Sequence, residues 1–196
     1  MDLVYISGSP RKRGNSNALA QCFLDRCREH GADVTSYYLN DLSYGGCQAC
    51  DNCKIVADKC TLDDDLSPVL DHVFVADLVV LASPVYYGDV SAQLKGFIDR
   101  TYSYLKPRYI AEKFPNRLAQ PKTLVFILVQ GHRDPEAFAD ILPRYSDIFK
   151  WTGFAETHPL RVIDVYHRGD IEERKEIQEQ ATKLADKLMA KYDATL

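Results

Sequence analysis

The sequence predicts an α/β domain whose five strands form one doubly wound parallel sheet, in the order 2-1-3-4-5, with helices on both faces. Three observations predict it. Short apolar runs alternate with helix-spaced segments along the chain. The third run is apolar on both faces, as central parallel strands are. Five strands interleaved with five helices demand parallel crossovers, because each strand must return to the same end of the sheet.

The elements follow in order. Leu3 to Ile6 is a short apolar strand, and Asn17 to His30 has helical spacing through Leu19, Ala20, Phe23 and Leu24 until Gly31 stops it. Val34 to Leu39 is β-rich. Asp63, Asp64 and Asp65 can cap and charge the start of a helix through Leu66, Val69, Leu70, Val73 and Phe74. Asp77 to Ala82 is the doubly apolar strand. Ser91 to Leu105 reads as a helix with Leu94, Phe97 and Ile98 on its apolar face, and Lys122 to Val129 as the fourth strand. Pro135 to Trp151 suits a helix with an awkward Pro143, Leu160 to Tyr166 a fifth strand, and Ile171 to Tyr192 a long amphipathic helix. Such sheets bind ligands beyond the carboxyl ends of their strands, where strand order reverses. That rule brings together the turns after strands one and three.

With 196 residues, no internal repeat and no Gly/Ser linker, residues 1–196 are expected to form a single domain with a cysteine-rich loop at 45–62. The net charge of −4 comes from interspersed acids and bases, without the basic stripe that a nucleic-acid partner requires. The N-terminal segment has no basic leader, and its apolar run stops after four residues, so a cytoplasmic chain without a membrane partner is expected. Cytosolic thiols stay reduced. Cys22 and Cys27 are therefore expected as small core residues, while four others crowd between positions 47 and 60.

Strand one runs into Ser7-Gly8-Ser9-Pro10-Arg11-Lys12-Arg13-Gly14-Asn15-Ser16-Asn17. Exposed backbone N–H groups at a helix N-terminus, short hydroxyl and amide donors, and an arginine suit a terminal phosphate dianion. Gly14 is followed by Asn15-Ser16 rather than Lys-Ser/Thr, and no GxGxxG occurs, so neither a triphosphate P-loop nor a dinucleotide fingerprint is present. After strand three, Ser83-Pro84-Val85-Tyr86-Tyr87-Gly88-Asp89 offers flat apolar and aromatic neighbours, with Gly88 allowing close backbone approach. Each motif alone also suits a plain structural role: a capped basic loop, or a turn with packing tyrosines.

Together, Gly8-Ser9-Pro10-Arg11 with Gly14-Asn15-Ser16-Asn17 and Ser83-Pro84-Val85-Tyr86-Tyr87-Gly88 resemble the two signature segments of the NAD(P)H-dependent FMN reductases of flavodoxin-like fold. The resemblance implies that Ser9, Arg11, Asn15, Ser16 and Asn17 hold the phosphate of FMN. It implies too that Pro84, Val85, Tyr86, Tyr87 and Gly88 contact its ring. It also suggests a third contact near Gln130-Gly131-His132, where His132 reads equally well as a loop residue.

Cys47, Cys50 and Cys53 are spaced C-x2-C-x2-C, and Cys60 follows after six further residues. Compact three-cysteine runs are typical of iron–sulfur ligation, whereas structural zinc prefers two separated knuckles; free thiols are the remaining reading. The spacing is similar to that of the iron–sulfur flavoproteins, a branch of the same reductases, which implies a [4Fe–4S] cluster on these four cysteines. Unlike the ferredoxin pattern, the last gap is longer and no proline follows Cys60. The implied function is an NAD(P)H-dependent FMN oxidoreductase passing electrons to small-molecule acceptors or a redox protein partner. A non-catalytic flavodoxin-type carrier and a cluster-free quinone or flavin reductase are the alternatives. The long tyrosine-rich stretch after the third helix, with Pro107, Pro115 and Pro121, points to a homodimer or homotetramer.

Overall fold

The structure, a computed structural model, describes residues 1–118 and 120–194. Five long strands run parallel: β1 (Asp2–Ser7), β2 (Asp33–Tyr38), β3 (Leu78–Tyr86), β5 (Lys122–Val129) and β6 (Phe154–Val162), in the spatial order β2-β1-β3-β5-β6. The sheet has six strands rather than five, because β4 (Asp89–Val90) folds back antiparallel on Val85 and Tyr86. The doubly apolar third run is thus longer than its sequence suggests. It continues through Ser83, Pro84 and Val85 to Tyr86, where a turn was expected. Pro84 is tolerated there near the end of the strand.

Strand side chains alternate faces, so the sheet divides the core into two layers. Val4, Ile6, Val79, Leu81, Leu124 and Phe126 point to one layer. It is covered by α3 (Ser67–Val75), α4 (Ala92–Arg100) and α5 (Ile141–Thr152). Leu3, Tyr5, Val80, Val125 and Ile127 point to the other, covered by α1 (Asn15–Glu29) and α6 (Lys175–Asp193). Cys27 sits in that second layer, and Cys22 packs at its margin. Every residue of β5 is buried, whereas at the two edges β2 has only half-buried and exposed positions and β6 is fully buried only at its two ends.

Several boundaries differ from expectation for identifiable reasons. Helix α5 begins at Ile141 instead of Pro135, which puts Pro143 in the first turn, where a missing N–H costs no helix bond. Strand β6 starts at Phe154, six residues before the expected Leu160, directly after Gly153 closes α5 at φ +107°. Its Glu156, Thr157 and His158 hide it from a search for apolar runs, because an edge strand can carry polar residues. Helix α4 stops at Arg100 and continues only as a 3-10 turn, Thr101–Tyr104. The cysteine segment contains a one-turn helix, α2 (Asn52–Ile55), that no periodicity marks.

Candidate functional site

Strand order reverses between β1 and β3, and the turns that leave them are tied together. The Gly8 amide donates to Ala82 O at 2.8 Å, and Ser91 Oγ donates to Gly8 O at 2.6 Å. Ser91 also caps α4 by accepting from the Leu94 amide, while its own amide donates to Ser83 Oγ at 2.9 Å. A Cβ on Gly8 would stand 2.6 Å from Leu94 Cβ, so this approach requires glycine.

Beyond Gly8 the chain folds over the start of α1. Buried Asn17 braces the turn from beneath: its Oδ1 accepts from Tyr5 Oη at 2.8 Å and Ser7 Oγ at 2.7 Å, and its Nδ2 donates to the carbonyls of Arg11 and Lys12. Ser9 Oγ accepts from the Arg11 amide at 3.2 Å. Helix α1 opens on Gly14, which supplies no side-chain cap. Its first-turn amides therefore present their partial positive charge to whatever lies above the turn.

One cavity lies there. Ser9, Arg11, Asn15 and Ser16 line it from the first turn and Pro84, Val85 and Tyr86 from the end of β3. Gly14, Val129, Gly131, Val165 and Tyr166 complete the lining; of these, the sequence places only Gly14 in a signature segment and only Gly131 in the suggested third contact. Pairing of β5 with β6 brings the ends of these two strands beside β3. The Val129–Gly131 end had a partial signal in the suggested contact at Gln130-Gly131-His132. Tyr166 has none, since the sequence places it at the tail of a strand. Three of the expected residues stand elsewhere: Asn17 is the internal brace, Tyr87 projects fully into solvent at φ +49°, and Gly88 packs against the Phe138 ring. His132 is also outside the lining; its Nδ1 accepts from the Asp134 amide.

Asn15 has a double part. Its side chain donates to His167 O at 2.7 Å and accepts from the Gly169 amide at 3.1 Å, clipping the loop after β6 to the start of α1. Asp170 folds the same loop by accepting from the amides of Tyr166 and His167, both at 2.8 Å. Tyr166 is thereby held beside Gly131, whose missing Cβ leaves room for the ring.

A second cavity lies at the far end of α4. Cys47, Cys50, Cys53 and Cys60 all line it, together with Arg100 and Tyr102. Cys47 and Cys50 are exposed, Cys53 is buried and Cys60 is intermediate. Ala49 and Asp51, at φ +51° and +55°, hold the turn between them in the left-handed region, which is strained for residues with a Cβ. Among the described residues, no group of three or more His, Cys, Asp or Glu side chains is placed to hold a metal ion. Arg100 organises this end. Its wholly buried guanidinium pairs with Asp64 Oδ2 at 2.7 Å and donates to Gly45 O at 3.0 Å, and its Nε donates to Cys60 Sγ at 3.0 Å. Burial would push the Asp64 carboxyl up, but the Arg100 pair and the Gly45 and Leu66 amides outweigh it and hold that carboxyl below its usual range. Nine residues of α4 separate the two cavities, a rise of about 13 Å.

A family model described as NADPH-dependent FMN reductase matches residues 1–139. An iron-sulfur flavoprotein of Methanocaldococcus jannaschii is 40% identical over 101 residues, which cover 52% of this chain and 52% of that protein. One of Methanosarcina thermophila is 34% identical over 101 residues, with the same coverage. The chain spans about half the length of the curated relatives it matches. Among solved structures, an NAD(P)H:quinone oxidoreductase from Methanothermobacter marburgensis superposes with a TM-score of 0.77 at 17% identity, covering 96% of each chain. An FMN-dependent NADH-azoreductase from Bacillus anthracis in complex with FMN gives 0.70 at 15% identity, covering 94% of this chain and 100% of that one. At these identities the superpositions establish a shared fold. No helix among the described residues is long and apolar enough to cross a membrane.

Proposed function

The chain belongs to the NADPH-dependent FMN reductase family, and from that premise we propose that it is an NAD(P)H-dependent FMN oxidoreductase of the iron–sulfur flavoprotein type. The observation that carries this reading is that two segments far apart in sequence line one cavity, a turn rich in anion donors and a flat, apolar strand end. FMN held there would supply acceptance of a hydride equivalent from a reduced nicotinamide and release of electrons singly or in pairs. The uncapped first turn of α1, with Ser9, Arg11 and Ser16, holds the phosphate. Asn15 serves it indirectly, through the clip to His167 and Gly169. Pro84, Val85 and Tyr86 on one side, and Val129, Gly131 and Tyr166 on the other, take the ring and keep water from it.

Titration with FMN and with riboflavin tests this site. FMN binds much more tightly than riboflavin, and Arg11→Ala closes most of that difference. Equal affinities for the two flavins, or no binding, reject the reading. Oxidation of NADPH or NADH with a quinone or a ferredoxin-type acceptor then separates an enzyme from a non-catalytic carrier, which turns over neither.

The cysteine cavity supports a [4Fe–4S] cluster as the second group, since four cysteines border one space beside the buried Arg100 guanidinium. A cluster-free reductase is the competing reading, favoured by the lack of a group of ligands placed for a metal ion among the described residues. Iron and acid-labile sulfide in anaerobically purified protein decide between them. Exposed Ile110, Phe114 and Trp151, near the proline-rich stretch, support self-association into a dimer or tetramer. Light scattering tests that, and a stable monomer refutes it. Unpaired thiols accord with a cytoplasmic setting.

A further inference from the structure

Arg100 is buried with one carboxylate, and a single carboxylate would satisfy it as a neutral pair. Its fork does more than that. The Nη atoms serve Asp64, Gly45 O and Leu62 O, while Nε is directed to Cys60 Sγ at 3.0 Å, although sulfur is a weak acceptor unless it carries charge. A second cation is arranged alike. Lys54 Nζ lies 3.5 Å from Cys53 Sγ, fixed by the carbonyls of Tyr102 at 2.6 Å and Leu105 at 2.8 Å and seated 3.9 Å from the Tyr102 ring centroid. Arg117 donates to the carbonyl of Cys53 at 2.8 Å. The two less exposed sulfurs of the set, Cys53 and Cys60, thus each face a positively charged N–H donor, and the two exposed ones, Cys47 and Cys50, face none of these three cations at hydrogen-bond distance.

Hydrogen bonds to cysteine sulfur and the net charge around a cluster set its reduction potential. Charge-assisted donors favour the state in which the sulfurs carry more electron density, which is the reduced state. We propose that Arg100 and Lys54 are positioning residues that raise the reduction potential of the iron–sulfur group held by Cys47, Cys50, Cys53 and Cys60. This assignment rests on the cluster reading above. It makes the cysteine site an easier electron acceptor than four cysteines in an uncharged pocket.

The test is a potentiometric titration, followed by visible and EPR spectra, of anaerobically reconstituted protein with iron and sulfide quantified in each sample. Lys54→Met keeps the stem and removes the charge; Arg100→Gln removes the cationic fork, and Arg100→Lys keeps a charge without it. Lys54→Met and Arg100→Gln are each expected to disfavour the reduced cluster about tenfold, a fall of about 59 mV for a one-electron couple. Arg100→Lys falls in between, while the flavin midpoint in the same samples stays in place. Should Arg100→Gln fail to retain iron, Lys54→Met carries the test. Cluster midpoints equal to wild type in iron-loaded variants overturn this assignment alone. Wild-type protein that takes up no iron and sulfide overturns the cluster reading and this assignment with it.

Discussion

Ser91 Oγ donates to the carbonyl of Gly8 at 2.6 Å, joining two turns that lie 83 residues apart in the chain. The same hydroxyl accepts from the Leu94 amide, so one oxygen both caps α4 and fastens the first turn against the second. The opposite end of α4 carries Arg100 and its bond to Cys60. One short helix therefore braces both candidate redox sites.

Removing that hydroxyl loosens the pocket. Ser91→Ala is expected to cost about 2–4 kcal/mol, the sum of a lost cap and a buried carbonyl left without its donor. It also weakens FMN binding. Urea denaturation and flavin fluorescence titration measure the two effects; a variant with wild-type values for both contradicts the role given to this bond.

Asn15 is expected to act on the wall of the cavity. Asn15→Ala frees the loop that carries Tyr166 by deleting the bonds to His167 O and the Gly169 amide. FMN then dissociates faster, by about tenfold if the two bonds contribute about 1.4 kcal/mol of binding. Stopped-flow displacement by excess flavin gives the rate, and an unchanged rate rules the clip out as a determinant of retention.

The six thiols are expected to differ sharply in reactivity. Burial pushes the Cys27 thiol up to about 12, so at pH 8 almost none of it is thiolate, and it lies in the core. In iron-free native protein, alkylation modifies exposed Cys47 and Cys50 first and leaves Cys27 untouched until the chain unfolds. Mass spectrometry of the labelled peptides checks the order.

Acid is expected to loosen the cysteine end before the flavin end. The folded Asp64 carboxyl is held below its unfolded value, so its contribution to stability is complete above the ordinary carboxylate pKa and disappears as pH falls through the folded one. The affected window lies below about pH 4. Hydrogen exchange at residues 45–64 reports it, and Asp64→Asn should show the loosened state at neutral pH as well.

Local chemistry made much of this molecule legible in the sequence. The strands at the centre of the sheet were visible because a parallel strand buried on both faces must be apolar throughout, as Leu78 to Ala82 and Lys122 to Val129 nearly are. The turn at Ser9 to Ser16 was visible because a helix start that leaves its amides open toward a ligand needs small, flexible and polar residues close together. The edge strand Phe154–Val162 was misplaced, since half of its residues face outward and carry no periodic apolar signal.

Composition and spacing within a few residues set the class of sheet, the position of the turn after β1 and the crowding of four cysteines. The tertiary structure alone decided which side chains share a space. Tyr166 and Gly131 reach the cavity only because β6 pairs with β5, and Asn17 leaves it because Tyr5 and Ser7 claim its amide. Arg100 meets Cys60 only across the packed layer of α4. Such contacts depend on chain crossings tens of residues apart, and no local pattern encodes which distant partner will occupy the other side.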